Sequence, residues 1–271
     1  MKRYLKYIIM GIVAVTLYTL FFPGKDKEKG KPRDYQTIVE SGILRAVTEY
    51  NSISYFADGD TVSGFHYELL NAFARSKGLT PEIIPEMSFE KRQEGILTGK
   101  YDILANSTIV TSESKDSLLF TPPILLNKQV MVHRQPGPET DRMYIPSQLE
   151  LARKTLHVVK GSPVLLRIHN LSNEIGDTIY IQEVEKYGPE QLLAMVVHGD
   201  IDYTVCDESI AQASINDFPQ LDIKTAISFT QFYSWGVSKH SPILLDSLNA
   251  WLDTYTLTPE FRELQKKYYN K

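Results

Sequence analysis

The chain has 271 residues, 42% of them hydrophobic, which is enough for one large domain or two modest lobes. A formal net charge of −4 excludes the basic footprint that nucleic-acid binding needs, so no nucleic-acid partner is expected. The single cysteine, Cys206, excludes an intramolecular disulfide and argues against structural zinc; inside an apolar strand pattern it reads as a buried, inert thiol.

Residues 1–22 begin with Lys2, Arg3 and Lys6 and continue as a charge-free apolar run over residues 7–22. No small-x-small cleavage site follows, since Leu20-Phe21-Phe22-Pro23 is too bulky, and this favours an uncleaved signal anchor over a cleaved signal peptide. Lysines on both sides of the run leave its orientation unset. Residues 23–34 are rich in Lys, Gly, Pro and acid and read as a solvated polar linker.

The fold is expected to start at Tyr35. A short helix stops at Ser41-Gly42, and residues 43–48 alternate as a first strand. Phe65, Leu69, Ala72 and Phe73 have helical spacing. A strand over residues 79–85, a helix over 88–97 and a strand over 102–108 follow. This β-α-β-α-β order predicts a parallel sheet with helices on both faces. Asp102, opening the last of these strands after Gly99, reads as turn chemistry.

A similar series starts near Ser147, with strands at 155–159, 178–181 and 201–206 and helices at 164–172 and 189–197. Residues 129–134 and 235–239 read as two strand-like crossings between the series, and residues 242–269 as helical. Gly199-Asp200-Ile201-Asp202 leads into a strand ending in Asp207, as Gly99-Lys100-Tyr101-Asp102 leads into one delivering Asn106, Ser107 and Thr108. Ligands of open α/β sheets bind beyond such strand ends, so two lobes facing one cleft are expected. Asp207 also suits a helix N-cap, and Ser162 before Pro163 suits another. The six histidines show no metal spacing, and no phosphate loop, nucleophile elbow or dinucleotide fingerprint is present; no cofactor or metal is expected.

Seven segments in order resemble the bacterial extracellular solute-binding proteins of family 3. Among them are Ser41-Gly42-Ile43-Leu44-Arg45-Ala46-Val47, Gly99-Lys100-Tyr101-Asp102, Val159-Lys160-Gly161-Ser162, Asp200-Ile201-Asp202-Tyr203 and Leu264-Gln265-Lys266-Lys267-Tyr268-Tyr269. More narrowly, the chain is similar to the substrate-binding-like N-terminal domain of membrane-bound lytic transglycosylase F. With two residues beyond Tyr268-Tyr269, the separate catalytic domain of that enzyme is expected to be absent.

The resemblance implies an α/β, two-lobe periplasmic-binding-protein (Venus flytrap) fold of type II with two hinge crossings. Lobe 1 would be residues 35–132 plus 228–271, and lobe 2 residues 133–227. It implies a periplasmic protein that captures a small polar ligand, amino-acid-like, peptide or muropeptide fragment, by hinge closure. An ABC transporter permease or a cell-wall enzyme would be its partner, and the N-terminal segment its tether to the inner membrane. Tyr50, Asn51 and Tyr55 or Phe56 would line one wall. Asn106, Ser107 and Thr108 would hold the ligand's carboxylate with amides from Gly161 and Ser162, and Asp207 would take its ammonium. The family's Thr-x-x-Arg carboxylate clamp is missing: Thr111-Ser112-Glu113-Ser114 places Ser114 at the arginine position. A dehydratase-like enzyme using Glu49, Glu113 and Asp207, or a ligand-free docking protein, are the alternatives on the same fold.

Overall fold

The computed structural model describes residues 30–137 and 144–269. The expected anchor, residues 1–22, and linker residues 23–29 lie outside the described residues. Among those described, no helix is long and apolar enough to cross a membrane.

Arg33 and Asp34, expected in a solvated linker, are instead anchored. Asp34 caps helix α1 (Tyr35–Ser41) and accepts the Leu244 N–H at 2.8 Å, tying the start of the fold to its C-terminal helices. Arg33 Nε donates to Asp102 at 3.1 Å, and Arg45 Nη2 donates to the same carboxylate at 2.8 Å. Asp102 is thus a buried acid neutralised by two arginines rather than turn chemistry, which is how a buried carboxylate is tolerated.

The first sheet places β1 (Ile43–Thr48) between β4 (Thr80–Pro85) and β5 (Ile103–Ile109), all parallel. Strand β13 (Gln231–Ser238) pairs antiparallel with β5, and β6 (Leu118–Phe120) and β7 (Leu125–Asn127) pair with β13. The alternation that predicts β1 puts Leu44 and Ala46 fully in the core. Helices α2 (Phe65–Ser76), α3 (Phe89–Leu97) and α4 (Ser112–Ser117) belong to this half. A small hairpin, β2 (Phe56–Asp58) with β3 (Thr61–Ser63), precedes α2. Trp235 of β13 is fully buried and donates from Nε1 to His66 Nδ1 at 2.9 Å; burial lowers the His66 pKa to about 3.

The second sheet has the order β10-β9-β11-β8-β12. It comprises β8 (Gln129–Arg134), β9 (Thr155–Val159), β10 (Tyr180–Val184), β11 (Thr204–Asp207) and β12 (Leu221–Asp222), with helices α5 (Val164–Ile175), α6 (Pro189–His198) and α7 (Glu208–Ser214). The C-terminal run, expected as one helical stretch, is two helices, α8 (Pro242–Tyr255) and α9 (Pro259–Tyr269). Pro259 opens the second at a position where a missing N–H costs nothing.

Each half therefore has three parallel strands and one long antiparallel strand next to the third. β7 is the last strand paired in the first sheet before β8 pairs with β11, Gln129 opposite Asp207 and Val132 opposite Thr204. Residues 129–132, expected in the first lobe, thus hydrogen-bond in the second sheet. The chain returns between Ile227, whose N–H donates to Gln129 O at 2.7 Å, and Gln231 at the start of β13. Residues 235–239 are not a crossing: Trp235 to Ser238 lie within the first sheet. The two crossings run side by side, with Ser228 Oγ accepting the Gln129 N–H at 2.9 Å.

Candidate functional site

The lobes meet across the carboxyl ends of their parallel strands. The Ser52 N–H donates to Glu190 Oε1 at 2.9 Å, and the Tyr233 hydroxyl donates to Asp207 Oδ1 at 2.6 Å. A Cβ added at Gly188 of the second lobe would lie 2.4 Å from Met87 Cε of the first. Two connected spaces remain between the lobes. An inner cavity of about 70 Å³ is lined by Glu49, Arg92, Asn106, Gln129, Asp207 and Tyr233, among others. An outer groove of about 540 Å³ is walled by Leu104, Leu118, Pro163, Leu165 and Leu166. Phe89, Arg92, Ser162 and Pro163 line both.

Asp207 ends β11 at the site. It stands at the N-cap position of α7, yet its side chain makes no capping bond. Its carboxylate is turned to Tyr233 across the gap instead. Burial raises its pKa to about 7, the hydrogen bond from Tyr233 works against that rise, and the nearby Glu49 charge adds to it. Tyr233 is fully committed to the core, and burial beside Asp207 pushes its hydroxyl well above the usual tyrosine range. Cys206 is buried and its thiol is pushed up by the same burial, so it stays a neutral thiol, as its sequence context implies.

Arg92 is the functional candidate that the motifs did not reveal. It sits on α3, whose N-cap Ser88 accepts the Lys91 N–H. Its side chain is buried, Nη1 donates to the Glu86 and Met87 carbonyls at 2.6 and 3.0 Å, and Nη2 lies 3.8 Å from Glu49 Oε2. The helix lies close against Tyr101, just before β5, because Gly95 lacks a Cβ, which would fall 2.3 Å from the Tyr101 ring. The signal was present in the spacing. Arg92 lies three residues after Phe89 and four before the buried Ile96, on the inward face of the helix.

The structure brings part of the expected set together. Asn106, Ser162 and Asp207 line the inner cavity, and Gly161 and Ser114 reach the outer groove. The Gly161 and Ser162 amides are already spent, on Glu183 Oε2 at 3.0 Å and on Val159 O at 3.1 Å, so they do not offer the expected donors. Ser114 does not replace a clamp either; its Oγ closes a capping box with Thr111 at the start of α4. Tyr50, Asn51, Tyr55 and Phe56 line neither space. Asn51 Oδ1 accepts the Ile53 and Ser54 N–H groups as turn chemistry, Tyr55 packs edge-on against Tyr67, and Phe56 against Tyr268. Exposed Tyr50 lies against Tyr55. Ser107 and Thr108 belong to β5, where Thr108 pairs with Ser234; the side chains of Ser107, Thr108 and Glu113 lie outside the described set. Among the described residues no cluster of His, Cys, Asp and Glu could hold a metal ion.

Comparison with known proteins matches this fold. The chain is 26% identical over 262 residues to membrane-bound lytic murein transglycosylase F of Photobacterium profundum, covering 95% of this chain and 50% of the relative. To the same-named protein of Shewanella woodyi it is 24% identical, covering 85% of this chain and 47% of the relative. The chain thus spans about half the length of these curated relatives. Among solved structures, a mutant of ArgBP from T. maritima superposes with a TM-score of 0.74 at 22% identity, covering 87% of this chain and 99% of that one. An ancestral amino acid-binding protein, described as a precursor of cyclohexadienyl dehydratase, gives 0.72 at 22% identity, covering 86% and 98%. Both share the two-lobe α/β fold expected from the sequence. The family model for bacterial extracellular solute-binding proteins, family 3, matches residues 44–271, and the chain belongs to that family.

Proposed function

We propose that this chain captures a small polar solute in the cleft between its lobes, by hinge closure about the two crossings at residues 127–129 and 227–231, without chemical turnover. The observation that carries this is Asp207. A carboxylate at a strand end, unspent on its helix and lining a cavity between the lobes, is a receptor for a cation or hydrogen-bond donor. Asn106 and Gln129 add polar contacts in the same cavity, and Gln129 Oε1 is buried without a hydrogen-bond partner. Such a group costs free energy unless something binds it. Candidate solutes are amino acids, short peptides and muropeptide fragments. Residues 7–22 would hold the binding lobes at the outer face of the inner membrane, where a transporter permease or a cell-wall enzyme would receive the ligand.

Thermal melting of the full chain against those three solute pools tests the reading. A ligand at a hundredfold its Kd raises stability by about 2.7 kcal/mol through mass action. Melting unmoved by every pool would overturn capture and favour a ligand-free docking role. One observation favours a second reading: Glu49 and Asp207 share the cavity, and a carboxyl group with a pKa of about 7 suits a general acid. Turnover of prephenate or arogenate would establish a dehydratase in place of a binder.

A further inference from the structure

Arg92 carries hydrogen-bonding capacity that the protein does not fill. Its Nη1 is held by two backbone carbonyls, which fixes the plane of the guanidinium. Its Nε is buried and has no hydrogen-bond partner. Its Nη2 lies 3.8 Å from Glu49, close enough for the charges to balance and too far for a hydrogen bond. The opposite edge, Nε with Nη2, is the fork that receives a carboxylate through two parallel bonds. A buried guanidinium whose Nε–H has no acceptor, and whose one carboxylate neighbour lies 3.8 Å away, is costly unless a closer anion meets that edge in the working state.

The surroundings say what else that anion carries. Arg92 lines both the small inner cavity, beside Glu49, Asn106, Gln129 and Asp207, and the larger groove. On the second lobe the groove is lined by Pro163, Leu165 and Leu166, with Leu166 57% exposed at its rim; on the first, Phe89 and the buried Leu104 and Leu118 stand beside the polar Glu90, Gln93 and Thr111. An apolar strip on the second lobe that is left in water is covered when an apolar group lies against it in the groove.

We propose that Arg92 is the anion-holding group of the cleft, and that the ligand is an amphipathic carboxylate whose polar head enters the inner cavity while its apolar substituent fills the outer groove. This rests on solute capture in the cleft and assigns its anchor to α3, in place of the arginine that Ser114 lacks.

The test is calorimetric titration of the full chain in mild detergent with L-phenylalanine, L-phenylalaninamide and L-alanine. The amide removes the carboxylate and alanine removes the apolar substituent. The wild type is expected to prefer phenylalanine over each of the others by about tenfold or more. In Arg92→Gln the preference for acid over amide collapses towards unity, while the preference for phenylalanine over alanine persists. Arg92→Lys, which keeps the charge and loses the fork, covers the case in which the glutamine variant does not fold; it is expected to lose most of the acid preference. Leu166→Asp, at an exposed position, should weaken phenylalanine more than alanine, narrowing the preference between them. Unchanged acid-over-amide preference in both Arg92 variants would make Arg92 a structural pin and overturn the inference. So would equal binding of phenylalanine and alanine. If the wild type binds none of the three while another solute shifts its melting, this inference fails and capture stands. If no solute shifts it, both fail.

Discussion

Replacing Asp207 by asparagine should change how stability depends on pH, in a direction fixed by its environment. The carboxyl has a pKa of about 7 in the folded protein against 3.8 when unfolded. Between those values the native state holds the proton more often than the unfolded state does, so stability falls as pH rises from 4 to 7 and is level above that. The gap corresponds to a ceiling of ~4 kcal/mol. Two features lower it: Asp207 is only half-buried by accessible surface, and opening the cleft rehydrates the carboxylate. The realised loss should be of order 1–3 kcal/mol. Asparagine resembles the protonated acid and cannot ionise, so Asp207→Asn should match the wild type near pH 4 and exceed it by that amount at pH 8. Urea unfolding of both proteins from pH 4 to pH 8 measures the difference. His66, kept neutral by burial, contributes equally to both and cancels. Parallel profiles would refute the placement of Asp207 in a desolvated cleft.

Three further outcomes follow from the same structure. A ligand ammonium beside Asp207 favours its ionised form, so binding near pH 7 should release a fraction of a proton. Titrations in Tris and in phosphate should then give binding heats that differ with buffer ionisation enthalpy, and equal heats would contradict that contact. Arg33→Ala removes one of two arginines from the buried Asp102 and should cost about 2–3 kcal/mol in unfolding, less than a complete orphaning because Arg45 remains. Gly64 has φ 139°, and a Cβ there would lie 2.3 Å from Ser54 O. Gly64→Ala should therefore destabilise by about 2–4 kcal/mol, and a neutral outcome by thermal melting would mean the Ser54 turn yields easily.

The strands and helices were legible where periodicity and punctuation agree. Helix α1 ends at Gly42 in the left-handed region, and α3 starts from Ser88, both as the sequence reads. Less legible were features set by distant partners. Nothing local in Arg33 says that it meets Asp102, because that pairing spans 69 positions. The crossings were displaced for a similar reason: residues 129–134 alternate like any half-buried strand, and only their pairing with β11 and β12 assigns them to the second lobe. In the site, Asp207 could be found from its strand end. Tyr50 and Asn51 came from the family resemblance alone, and the local bonds that make Asn51 a turn residue and set Tyr50 against Tyr55 are not visible in a motif match. Arg92 lies outside the family's Thr-x-x-Arg position, and its signal is a cation on the apolar face of a helix.

Solute capture between the lobes is tested most directly by a crystal structure with the solute that most raises the melting temperature. The ligand is expected between the lobes, within hydrogen-bond distance of Asp207, with its remaining polar groups among Arg92, Asn106 and Gln129. Ligand bound instead in the surface hollow of the first lobe between Glu68, Arg75 and Lys267, with the interlobe cavity untouched, would contradict it.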